Sequence, residues 1–501
     1  MKKMSKRQSG VLMHITSLPG RFAVGGFGEE AKKFIDFLSE TGFRIWQVLP
    51  FHPIDEMNSP YKSDSAFAGN FLFIDPDTLL KEGIVSETDV DGCVYHGSPY
   101  TADYTFAIEK KTALLRSAFS KSFMLLKDKV DEFKNKNNWA ENYALFKACK
   151  KYSGGAPWWE WDESLRNFEK SRSLKEKFED EINYQLFVQY LFFEQWKSIK
   201  DYAARKDIKI LGDMPVYVSM DSADVWSNPA DFKINKETFV PDEVAGVPPD
   251  YFSEEGQLWG NPIYDWDKME QDGFSWWKER IKAESELYDM LRIDHFRGLA
   301  SYWSVPYGSK TAKNGEWKQG PGMKLFDAIK DAYSGKEIIA EDLGAFGEDV
   351  KELLESTGFP GIRVIQFAFQ SDSQNEHLPH NYDKNTVACL GTHDNNTLLG
   401  WLYEIDEGER RYALDYCGFS GGDWGEGGYY APACRKIIET VWRSSADTAI
   451  IAFQDLCGFG SDARMNIPGV PELNWRIRTT QETIDNIDKN YFRKINRIYG
   501  R

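Results

Sequence analysis

The chain has 501 residues, a mass of 57.6 kDa and a formal net charge of −17, with 42% hydrophobic and 28% charged residues. That balance belongs to an ordinary soluble globular protein long enough to bury a large core. Such acidity excludes nucleic acid as a partner, because phosphates demand clustered Lys and Arg, and no apolar run approaches the roughly 18 residues of a membrane span.

The N-terminal stretch "MKKMSKRQSGVLMHITSLPG" starts basic, but its apolar run is only "VLMHI". That is too short for an export signal and reads as a first strand. From there, short runs rich in Ile, Val and Leu recur: "GVLMHITSLP", "FRIWQVLPF", "IKILGDMPVYV", "MLRIDHFRG", "EIIAEDLG", "IRVIQFAF", "VACLGTHDN" and "AIIAFQDLCG". Most end in polar residues or glycine, as buried parallel strands do. Helical patterns lie between several of them. Residues 29–41 place Phe34, Phe37 and Leu38 on one side, and "EINYQLFVQYLFFEQWKSIKDYAARKD" spaces Leu186, Tyr190, Phe193, Trp196, Ile199 and Ala203 as a helix does.

Eight strands alternating with helices predict an α/β fold, a (β/α)8 TIM barrel. Two gaps, 52–207 and 219–289, exceed simple crossovers, and structureless loops of that length are improbable. The expectation is one catalytic barrel over 1–501, with subdomains at 52–180 and 219–289 inserted over its C-terminal face. The Gly-rich "GFSGGDWGEGGYYAP" reads as one loop. Cys93, Cys149, Cys389, Cys417, Cys434 and Cys457 have no CxxC spacing, which suits reduced thiols in a cytoplasmic protein.

A barrel of this kind places its site at the C-terminal strand ends, and three of those ends carry acids: Asp294, Glu341 and Asp394. In "LRIDHFRG" the period of two puts Leu291 and Ile293 against the helices, and Arg292 and Asp294 in the mouth. His295 falls on the Leu291 side and reads as structural. Ile339 and Glu341 share a face in the same way.

Three explanations compete for this cluster. It could be a structural ion-pair network. It could hold a divalent metal, although Arg292 beside Asp294 repels a second cation. Or it could do glycoside chemistry, with Arg292 holding one carboxylate ionised and a less charged setting keeping Glu341 protonated. The aromatic content, 15% of the chain with 17 Trp and 24 Tyr, suits sugar rings and favours the third. His14 and His52, near the first two strand ends, read as hydrogen-bonded structural histidines. His377 and His380, in "HLPH", have no further ligand nearby and read as loop. No metal and no cofactor are expected.

At these residues the sequence resembles a known family, the 4-α-glucanotransferases called amylomaltases or disproportionating enzymes, glycoside hydrolase family 77 of the α-amylase-like clan. The strings that carry the resemblance run in order along nearly the whole chain: "HITSLPG", "WQVLPFHP", "SPYKSDSAFAGN", "GDMPVYVSMDSADVW", "AGVPPDYFSEEGQLWGNPIYDW", "RIDHFRG", "AEDLG", "RVIQFAF", "GTHDNNT" and "RMNIPG".

The resemblance implies roles. Asp294 matches the nucleophile, Glu341 the general acid/base, and Asp394 the acid gripping the sugar's 2- and 3-hydroxyls. The first two carboxyls would lie about 5 Å apart. Arg292 and His393 match residues flanking the reacting sugar, and Tyr61 an aromatic stacking in the donor subsite. Asp213 and Arg363 match residues supporting the central carboxylates. "GVPPDYFSEEGQLWGNP" matches a mobile loop over the acceptor subsites, with Tyr251, Phe252 and Trp259 as stacking faces and Pro248 and Pro249 as stiffeners.

One departure stands out. The family usually carries Gly before "NW", where this chain reads "PELNWRIR", and the expected consequence concerns packing alone. The length fits the bacterial-sized form, without a starch-binding extension. The implied partners are maltooligosaccharides and α-1,4-glucans, handled by a monomer or homodimer. A hydrolase on the same barrel and a silent glucan-binding protein are the rival readings.

Overall fold

The computed structural model describes residues 7–249, 253–344, 347–470 and 472–501. Its centre is a sheet of eight parallel strands: β1 (Gln8–Leu12), β2 (Ile45–Gln47), β3 (Lys209–Met214), β4 (Met290–Ile293), β5 (Glu337–Ala340), β6 (Gly361–Val364), β7 (Thr386–Cys389) and β8 (Thr448–Ala452). Each overlaps a run singled out in the sequence. The ladder order is β6-β7-β8-β1-β2-β3-β4-β5, so the first and last strands meet in its middle. Between β5 and β6 the barrel closes through single contacts. The Ala340 amide donates to the Pro360 carbonyl at 3.0 Å, and the Ile362 amide donates to Asp342 Oδ1 at 2.7 Å. This is the (β/α)8 barrel.

The strands form because both faces are buried, and alternation sorts their side chains. Leu12, Ile45, Leu211, Met290, Ile339, Ile362, Val387 and Ile450 fill the interior as one cluster. Their neighbours Val11, Trp46, Ile210, Leu291, Ile338, Ala388 and Ile451 join the larger core beneath the helices. Space inside is tight at one strand: a Cβ on Gly10 would lie 2.6 Å from that of Ile45, so only glycine fits there.

The helix Glu29–Thr41 buries Phe34, Phe37 and Leu38 and stops at Gly42, whose φ of 82° is the left-handed end that glycine accepts. The helix Glu179–Arg205 buries Leu186, Tyr190, Trp196, Ile199 and Ala203, with Phe193 partly covered. Against it pack Tyr104–Lys136 and Asn138–Tyr152 from the 52–180 insertion.

The second insertion shares a sheet with a later segment of the chain. Its strands Glu243–Val247 and Gln257–Pro262 belong to a four-stranded antiparallel sheet completed by Ser301–Pro306 and Glu316–Gln319, which lie between β4 and β5. A lone hairpin is marginal in water, and the two extra strands supply the missing partners. Residues 219–289 are therefore not self-contained. No helix among the described residues is long and apolar enough to cross a membrane.

Candidate active site

The site is built where β3, β4 and β5 end. Register pairs Asp213 with Arg292, and Arg292 with Ile339. Arg292 points inward as its alternation requires, and it is not simply the counter-ion of Asp294. Its Nη1 donates to both oxygens of Asp213 at 2.6 and 2.7 Å and lies 3.0 Å from Asp294 Oδ1. Burial works against the guanidinium charge, but Asp213 and Asp294 outweigh it and hold the group protonated well above its ordinary range. The Tyr61 hydroxyl donates to Asp213 Oδ2 at 2.7 Å, so one buried acid organises both the cation and the aromatic. A cation already sits where a metal bridging Asp213 and Asp294 would have to bind. Among the described residues no group of three or more His, Cys, Asp or Glu is arranged to hold a metal ion.

Glu341 is buried in a different setting. Its Oε2 accepts from the His295 amide at 2.8 Å and its Oε1 from the Leu343 amide at 2.9 Å. Burial pushes its carboxyl up to about 8, and the nearby Asp294 adds to that, against the pull of Arg292 and the two amides. Burial, more than the absence of charge, keeps this acid protonated. At neutral pH Glu341 therefore carries a proton to give.

His295 departs from the sequence reading. β4 ends at Ile293, so alternation no longer applies beyond it. His295 instead turns with φ 47°, and its amide holds Glu341.

The third acid stands on a loop. Asp394 Oδ1 accepts from Asn466 Nδ2 at 2.6 Å and lies 3.3 Å from His393 Nε2, while the Asp394 carbonyl accepts from Arg464 Nη2 at 2.6 Å. The His393 ring stacks on Tyr61 at 4.9 Å and leans on Trp475 at 5.7 Å, and its Nδ1 lies 3.3 Å from the Tyr61 hydroxyl. His393 also lines a pocket shared with His14, Thr392 and Asp455.

Asn466, Arg464 and Trp475 were not singled out as site residues, although "RMNIPG" contains the first two. Trp475, two residues beyond the departure in "PELNWRIR", sets its ring 5.7 Å from both Tyr61 and His393. The position that usually holds glycine is Leu473, which adopts φ 68° and is 77% exposed.

Arg363 stands on the other face of its strand. Ile362 and Val364 face the barrel interior, so Arg363 faces outward. Its ion pairs among the described residues are with Asp342 at 2.8 Å and Glu376 at 2.9 Å. Through Asp342 it is tied to the residue next to Glu341.

Tyr251 and Phe252 lie outside the described residues. Trp259 sits edge-on to His295 at 4.7 Å. His52 is structural, bridging Glu284 at 3.0 Å and the Ala68 carbonyl at 3.2 Å. The Nδ1 of buried His14 finds no partner among the described residues. His377 accepts from the Val364 amide at 3.1 Å, and His380 contacts the Tyr416 hydroxyl at 2.9 Å. Both tie down their loop.

Comparison with known proteins fits this geometry. A family model described as 4-alpha-glucanotransferase matches residues 13–483. The chain is 44% identical over 501 residues to the 4-alpha-glucanotransferase of Clostridium butyricum, covering 98% of this chain and 100% of that one. It is 42% identical to the corresponding protein of Aquifex aeolicus, covering 99% of each. Among solved structures, the amylomaltase from Streptococcus agalactiae in complex with acarbose superposes with a TM-score of 0.94 at 38% identity, over 99% of this chain and 100% of that one.

Proposed function

The chain belongs to the 4-alpha-glucanotransferase family, and from that premise we propose that Asp294, Glu341 and Asp394 carry a retaining transfer between α-1,4-glucan chains. The enzyme is a 4-alpha-glucanotransferase acting on α-1,4-glucans. What supports the assignment of residues is the contrast between two acids of one mouth: Asp294 lies 3.0 Å from a guanidinium, while burial raises Glu341 to about 8. Retaining glycoside chemistry needs such a pair, one ionised and one protonated.

In the first step an Asp294 oxygen attacks C1 of the donor glucosyl unit. The bond from C1 to the leaving oxygen breaks, and Glu341 gives that oxygen its proton, leaving a glucosyl ester. In the second step the 4-hydroxyl of an acceptor sugar loses its proton to Glu341 and attacks C1. The ester bond breaks and Asp294 is restored. Asp394, with Oδ1 held by Asn466, grips the 2- and 3-hydroxyls while the sugar is distorted. Arg292 and His393 flank that sugar, and Tyr61 stacks on it. Asp213 fixes both Arg292 and Tyr61, and Arg363 steadies the Glu341 strand end through Asp342.

The 219–289 segment, which carries Trp259, covers the acceptor side and excludes water from the ester. Substrates are maltooligosaccharides. The protein works in the cytoplasm as a monomer or homodimer, with no cofactor and no nucleic-acid or membrane partner. Incubation with maltotriose should give glucose plus a ladder of longer oligosaccharides; glucose and maltose alone, with nothing longer than the substrate, would establish a hydrolase instead.

A further inference from the structure

His295 follows the nucleophile, and the mechanism above gives its side chain no part. The residue nevertheless sits in the left-handed region, φ 47°, which side-chain-bearing residues seldom adopt. Something must hold it there. The turn has a definite product: it aims the His295 amide at Glu341 Oε2, 2.8 Å away.

The ring has close neighbours. Trp259 meets it edge-on, centroids 4.7 Å apart at 78°, and Tyr217 lies 6.4 Å away. A Cβ at Gly298 would fall 3.1 Å from its Cδ2 and 3.3 Å from the Tyr217 hydroxyl. Burial, helped by Arg297, pushes the imidazole down to about 4, so the ring is uncharged at neutral pH and acts there by shape. Trp259 itself belongs to Gln257–Pro262, an edge strand of the small sheet, and is only partly buried.

We propose that His295 is a positioning residue: Trp259 wedges its ring, the wedged ring holds the left-handed turn, and the turn aims the amide that grips Glu341. This rests on Glu341 being the acid/base. The edge strand over the acceptor side thereby communicates with the acid. With Trp259 seated against His295, the amide supports the carboxylate and Glu341 releases its proton more readily. With Trp259 displaced, the proton is held longer. The other groups facing Glu341 are Arg292 from β4, Asp294 from the turn and the Leu343 amide, and none of them is altered by the test.

The test is the pH dependence of kcat/KM on maltotriose, whose basic limb reports the acid of the free enzyme. Trp259→Ala and His295→Ala should move that limb upward by about half a pH unit or more, because a bond favouring the carboxylate is weakened. Trp259→Phe, which keeps a ring edge, and His295→Asn, which tolerates the left-handed region, should leave it in place. A uniform loss across pH in Trp259→Ala with the limb unmoved overturns the proposal, reducing Trp259 to a sugar-stacking face. Glu341→Gln separates the two readings. If that variant turns over normally, the acid/base assignment fails; if it is inactive and the limbs stay put, only this inference fails.

Discussion

The two sides of the barrel mouth are made differently. On the β3–β4–β5 side, Asp213, Arg292 and Glu341 sit at strand ends, and their neighbours hold them in register. Asp213 and Arg292 are buried and bonded within one ladder. On the β7 side, Asp394 is half-exposed and held by Asn466, 72 residues further along the chain, with Trp475 arriving from a third segment. The strand side stores electrostatic energy and is part of the fold's stability. The loop side is put together from segments far apart in the chain, although Met465 and Trp475 beside it still join the barrel interior. A substitution on the first side should therefore damage both folding and chemistry, and one on the second mainly chemistry.

The comparison breaks most completely at the nucleophile. Asp294→Asn should lower kcat on maltotriose by roughly 10⁴-fold or more while isothermal titration with a maltooligosaccharide still reports binding. Comparable turnover in the variant would remove Asp294 from the mechanism. Next in size, Arg292→Leu leaves Asp213 buried without its cation, and urea unfolding should show a loss of about 3–5 kcal/mol. A loss under 1 kcal/mol would mean that the strand side is no more structural than the loop side.

Glu341 gives a pH-dependent version of the same point. Between the ordinary glutamate value of 4.5 and about 8, the folded chain keeps a proton that the unfolded chain releases. Native stability at this site is therefore full at low pH and falls as pH rises through that window. Glu341→Gln should be inactive yet gain on the wild type in Tm steadily from pH 5 to 8; parallel curves would count against the raised acid. On the loop side, Asn466→Ala removes a hydrogen bond to a carboxylate and should reduce kcat/KM roughly 10- to 100-fold with Tm unchanged. The smallest effect is expected at Leu473, where Leu473→Gly relieves the left-handed φ of 68° and should stabilise by about 0.5 kcal/mol without altering activity.

The same contrast explains what the sequence made legible. Strands buried on both faces are apolar runs, so all eight were visible, and alternation along β4 correctly separated Leu291 and Ile293 from Arg292. Alternation also contained the answer for Arg363: "IRV" puts it opposite Ile362 and Val364, on the outer face. Where the strand stops the period stops, which is why His295 was misplaced by a rule valid only two residues earlier. Asn466 and Trp475 meet Asp394 and His393 through loops, and no periodicity relates positions so far apart. The small sheet escaped notice because its strands lie on either side of β4 in the chain, and each pair looks complete without the other.

The placement of β1 in the middle of the sheet bears on how the chain is made. Gln8 meets Thr448 across a separation of 440 residues, so one side of the first strand has no partner until the last barrel strand has been synthesised. At about 5–20 residues per second that wait lasts roughly 20–90 s. Throughout it the nascent protein carries an open strand edge, the kind of surface that pairs with the wrong chain. β2 covers the other side of β1 within the first 47 residues, so it is the side facing β8 that stays open longest.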